Sequence, residues 1–101
     1  MTRGTTPSYI ITIKDFSNLE GHTVEVTFKQ NDLLVTLSRD DVEIKDNKVS
    51  VFLTQSQTLL FKSGTAKMQV RGIDSNGTAW ASNIISVPVN PILRNGEIEH
   101  E

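Results

Sequence analysis

Apolar and polar residues alternate in short blocks along most of this chain, the period-2 pattern of half-buried β-strands. Tyr9, Ile11 and Ile13 alternate with Ile10, Thr12 and Lys14. Val24, Val26 and Phe28 alternate with Glu25, Thr27 and Lys29, and Leu33, Val35 and Leu37 follow the polar break Gln30-Asn31-Asp32. Val42 and Ile44 sit among Asp41, Glu43 and Lys45, a short charged segment suited to a sheet edge. Val49, Val51 and Leu53, then Met68 and Val70, then Ile85, Val87 and Val89 repeat the pattern. Turn signals at Glu20-Gly21, Asn31-Asp32, Asp46-Asn47, Ser63-Gly64 and Ser75-Asn76-Gly77 separate the blocks. About seven short strands, each with one wet face, predict an all-β, immunoglobulin-like antiparallel β-sandwich.

One segment leaves the strand rhythm. Thr54-Gln55-Ser56-Gln57 fits a capping box, in which Thr54 caps the Gln57 amide and Gln57 reaches back. The pattern predicts a short helical crossover over Gln55–Leu60, its apolar residues plugging an open end of the sandwich. The ends are polar and aperiodic. They are read as a flexible N-terminal arm (1–7) and a flexible C-terminal tail (91–101) around a sandwich domain at 8–90.

Composition narrows the chemistry. The chain has 101 residues, enough for one core, and contains no cysteine. Thiol nucleophiles, redox chemistry and cysteine-based zinc sites are therefore excluded. Ten Lys and Arg against twelve Asp and Glu give a net charge of −2 without any basic run. Nucleic acid is not an expected partner, because phosphate neutralisation needs a concentrated positive face. No apolar run approaches the ~20 residues of a membrane span, so no membrane partner is expected either. Met1-Thr2-Arg3-Gly4-Thr5-Thr6-Pro7 carries no apolar stretch after its charge and is not read as a secretory signal. The expectation is a protein that is cytoplasmic at synthesis.

The candidate sites each have a bland reading beside them. Asp40, Asp41, Glu43 and Asp46 form an acidic group that hard cations favour, but the spacing is not that of a twelve-residue calcium loop. A solvated turn and edge strand, interspersed with Arg39, Lys45 and Lys48, is the favoured account. Asn76-Gly77-Thr78 is a glycosylation sequon, yet Asn-Gly also suits the two positive-φ positions of a tight turn. The second reading makes Thr65–Asp74 and Thr78–Asn83 a hairpin.

Trp80 is flanked by Ala79, Ala81 and Ser82, and is read either as an exposed aromatic anchor or as a plug at the core or its rim, which is favoured. Phe52 falls on the face opposite Val49, Val51 and Leu53. Ile10, Ile84 and Ile73 also fall on the off-faces of their strands. Phe52, Ile10, Ile84 and Trp80 together make a possible protein-contact patch, against the alternative of ordinary scattered surface apolars. His22 in a turn and His100 in the tail have no nucleophile or carboxylate at an interpretable spacing. No phosphate loop, metal spacing or nucleophile elbow is present, so no enzyme activity and no cofactor are expected.

Val24–Val89, about two thirds of the chain, resembles the N-terminal domain family of baseplate upper proteins from phages of Gram-positive bacteria. It is also similar to short stand-alone proteins among phage and prophage structural genes. The resemblance runs through Val24-Glu25-Val26-Thr27-Phe28-Lys29, Lys48-Val49-Ser50-Val51-Phe52-Leu53, Thr54-Gln55-Ser56-Gln57, Lys62-Ser63-Gly64 and Lys67-Met68-Gln69-Val70-Arg71. Met1-Thr2-Arg3-Gly4-Thr5-Thr6-Pro7 looks like the start of the stand-alone members. The resemblance implies an immunoglobulin-like domain tied to virion structure or assembly and a place in the virion, with protein partners that are either further copies of itself or other virion proteins. It transfers no functional residue. The alternative reading is a free-standing carbohydrate- or protein-binding module, and a small hydrolase stands third.

Overall fold

The structure, a computed structural model, describes residues 1–99. These described residues form eight strands and one short α-helix: β1 (Ser8–Thr12), β2 (Thr23–Gln30), β3 (Leu33–Ser38), β4 (Val42–Lys45), β5 (Lys48–Phe52), α1 (Gln55–Leu59), β6 (Gly64–Ile73), β7 (Ala79–Ala81) and β8 (Ile85–Val89). A 3-10 turn, Arg39–Asp41, joins β3 to β4.

Two antiparallel sheets result. One has the order β1-β5-β4; the other runs β3-β2-β6, with β7 and β8 both on the far side of β6. β7 pairs with Arg71–Ile73 and β8 with Gly64–Met68, so the two are halves of one interrupted edge strand. Ser82 bridges the interruption, its N–H donating to Val70 O at 2.8 Å and its hydroxyl accepting from Val70 N at 3.0 Å. Counted by position in the sheets, the strands are the seven expected. Their orders match B-E-D and C′-C-F-G of the immunoglobulin sandwich, with α1 as the crossover from E to F.

The alternation predicted from sequence sets the inner faces. Val24, Val26 and Phe28 of β2, Val35 and Leu37 of β3, Val49 and Val51 of β5, and Ala66, Met68 and Val70 of β6 are buried together. Phe28 is fully enclosed, with Phe61 at 6.3 Å in a T-shaped pair and Tyr9 at 5.6 Å.

Each end of the sandwich is closed differently. Near α1 the plug is Phe61, fully buried, and not Leu60, which is 58% exposed. The capping box forms as read: Thr54 Oγ1 accepts from Gln57 N, and Thr54 N donates to Gln57 Oε1 at 2.8 Å. The helix stops after five residues, which turns Thr58 and Phe61 inward and Leu60 out. At the other end Leu19 is fully buried, anchored by its N–H on Asp46 O at 2.8 Å.

The β6–β7 hairpin forms, but its turn differs from the tight one expected. Only Gly77 has positive φ (86°); Asn76 does not. Gly77 N donates to Asp74 O and Asp74 N to Thr78 O, which defines a three-residue loop with a bulge at the left-handed glycine. The Asp74 carboxylate decides this, since it accepts from both Asn76 N and Thr78 N at 2.9 Å and stabilises the longer loop.

Residues 1–7, expected as a loose arm, lie against the domain. Thr2 bridges Asn90 in parallel, Arg3 N donates to Asn90 O, and Asn90 N donates to Met1 O. The Arg3 guanidinium donates to Phe61 O at 2.6 Å, Leu59 O at 3.1 Å and Asn95 Oδ1 at 2.7 Å. A cation thereby meets the free carbonyls where α1 ends. In the tail, Gln55 holds the Ile98 backbone from both sides, Nε2 donating to its O and Oε1 accepting from its N.

Candidate protein-contact surfaces

The four residues of the expected patch lie in three places. Ile10 of β1 and Phe52 of β5 share the outer face of the three-stranded sheet. Ser8 pairs with Phe52 and Ile10 with Ser50, so the two large side chains are diagonal neighbours. They stand 67% and 59% exposed.

Ile84, 62% exposed, lies in the link between β7 and β8, on the side of the other sheet. It borders a shallow depression of about 560 Å³ on that sheet's outer face, with Leu34, Thr27, Lys67 and Arg71. Ile84 therefore forms no single patch with Ile10 and Phe52, because the core separates the two outer faces. Leu34 is 61% exposed and escaped the sequence reading. The alternation of Leu33, Val35 and Leu37 defines the inward face of that strand and leaves Leu34 outside the pattern.

This second face carries more cationic than anionic groups. Lys29 and Lys67 are directly opposed across β2 and β6, a like-charge pairing that costs stability unless water or a partner screens it. Arg71 meets Glu25 at 3.6 Å, but both side chains are largely exposed and the pair contributes little.

Trp80 sits at the rim of the core, as favoured from its small neighbours. It pairs with Gly72, and a Cβ on Gly72 would fall 2.3 Å from the indole Cζ2, so the ring lies flat on bare backbone. Its Nε1 donates to His22 Nδ1 at 3.0 Å, and Phe16 packs tilted at 5.3 Å from Trp80 and edge-on at 5.0 Å from His22. Both the glycine slot and the histidine acceptor hold Trp80 inward, so it does not join the exposed apolars. His22, read as a turn residue without chemistry, thus orients the indole. His100 lies outside the described residues.

The acidic side chains Asp40, Asp41, Glu43 and Asp46 are all exposed. Among the described residues, no three of the His, Cys, Asp and Glu side chains come together as a metal-holding set. Ile73 is also on an outer face, 41% exposed and opposite Thr23. The Tyr9 hydroxyl has its pKa raised by burial, since the phenolate would lose water. No helix among the described residues is long and apolar enough to cross a membrane.

No family model, curated protein or solved structure matches this chain. The immunoglobulin-like assignment accordingly stands on strand order and register.

Proposed function

We propose that this chain is a phage or prophage structural or assembly-associated module that works through protein–protein contacts. The observation that carries the reading is the diagonal pair Ile10 and Phe52, standing in water on the outer face of the three-stranded sheet. Large apolar side chains that neighbour each other on a sheet face gain by being covered, at about 25 cal/mol per Å² of apolar surface removed from water. The resemblance of Val24–Val89 to baseplate upper-protein domains supplies the setting.

Mass spectrometry of purified particles, induced from the organism that encodes the chain, tests the setting. The expected result is peptides of this chain at many copies per particle. Abundance in the lysate with absence from particles would reduce the resemblance to one of fold.

A further inference from the structure

We propose that β1 is a self-pairing edge, which joins antiparallel to β1 of a second copy about a two-fold axis at Ile10. The proposal deepens the protein-contact reading by naming the partner, and it rests on that reading. In an immunoglobulin sandwich of B-E-D order, strand A covers the outer edge of strand B. Here β1 holds the position of B, and among the described residues no strand lies beyond it. The arm that could have done so runs instead to Asn90, at the end of β8 on the opposite sheet.

The register follows from hydrogen bonding. Ile13 N donates to Asn47 O and Leu53 N to Pro7 O, so the odd-numbered residues face β5. The N–H and C=O groups of Ser8, Ile10 and Thr12 therefore point out of the sheet. Two copies engage all three of these residues in each strand only when Ile10 faces Ile10, with Ser8 opposite Thr12 at both ends. That register sets Ile10 and Phe52 of the two copies into one apolar stripe, because Phe52 flanks Ser8.

Charge permits this pairing and opposes the others. Ser8–Thr12 contains no charged residue. β4 carries Glu43 and Lys45, the usual protection of an edge, and the β7–β8 edge is broken, contains Pro88 and is met by Met1–Arg3. β3 is also uncharged, but it is bounded by charge at both ends, by Asp32 in the turn before it and by the 3-10 turn Arg39–Asp41 after it. A five-residue contact is far below the ~1,200 Å² of a stable interface, so the pairing is weak in solution and gains where copies are held side by side.

Sedimentation velocity from about 10 µM to 1 mM tests it, a range that brackets weak dimers. The average mass of the wild type is expected to rise with concentration toward twice that of the monomer. Ile10→Lys should raise the dissociation constant at least about tenfold, the minimum counted as a real loss, while Leu34→Lys leaves it unchanged. A wild type that stays monomeric overturns the proposal, as does loss of association only on Leu34→Lys.

The chain has no cysteine, so oxidation of Ile10→Cys gives a second readout that survives a folding defect in the lysine variant. It should form covalent dimers faster than Leu34→Cys; equal rates overturn the pairing. A monomer found in purified particles would refute β1 pairing and leave the virion role intact. A β1 dimer absent from particles would do the reverse.

Discussion

Gly72→Ala probes a place where backbone, not side chain, shapes the rim of the core. Gly72 does not have a positive φ, so alanine is acceptable to the backbone, and in isolation the change stabilises by about 0.4–1 kcal/mol through the unfolded chain. The opposing effect is larger. The new Cβ would lie 2.3 Å from Trp80 Cζ2 and 2.5 Å from Cε2, where carbon atoms rest at about 3.5–4.0 Å. The indole must retreat by roughly an ångström or more, which pulls Nε1 from His22 and the ring from Phe16. The hydrogen bond contributes about 1 kcal/mol and the aromatic contact about 0.5–1.5.

The net expectation is a loss of about 0.5–2 kcal/mol, at the lower end of the range for overpacking. For a domain of this size that lowers Tm by roughly 2–16 °C. Thermal melts by circular dichroism measure it. The single tryptophan reports the mechanism through a changed emission spectrum of the folded state. The decisive control is a double-mutant cycle: in a Trp80→Ala background, Gly72→Ala should be neutral or slightly stabilising. An equal loss in both backgrounds, or a stabilised single variant, would refute the account of why glycine stands there.

Two further predictions concern the sheets. Val26→Asp places an unpaired carboxylate at a fully buried position. It should cost several kcal/mol of a total near 5–15 and unfold the domain, while Thr27→Asp, on the outer face, should shift Tm by only a few degrees; denaturant melts that coincide for the two would invalidate the face assignment. Tyr9 titrates at a higher pH in the folded protein than in the unfolded chain, so its contribution is complete below pH 10.0 and declines as pH rises through the folded pKa. Stability of Tyr9→Phe should match the wild type at neutral pH and fall less steeply above pH 10; parallel urea midpoints up to pH 11–12, roughly the range in which a raised tyrosine titrates, would contradict it.

The fold was largely legible because the choice of inner face is local to each strand. Alternation of apolar and polar residues distinguishes the two faces of a strand without knowledge of its neighbours. The Thr54-Gln55-Ser56-Gln57 cap is likewise complete within four residues. The strand Thr23–Gln30 pairs as its pattern requires, with Val26 fully buried beside Val70.

What lay beyond the sequence depends on contacts between distant segments. Leu19, isolated among polar residues, becomes core because Asp46 O, in a hairpin on the other side of the chain, fixes its backbone. Arg3 looked like part of a free arm, and only the arrival of the Leu59 and Phe61 carbonyls gives its guanidinium a place. Phe52, Ile10 and Ile84 were each read as outward, as the structure has them. Whether outward residues meet is set by which strands share a sheet, and that order places Ile84 across the core from the other two. Periodicity thus determined the faces, because side-chain direction is a property of each strand alone. Only the tertiary structure decided the surfaces, because strand order is a property of the whole chain.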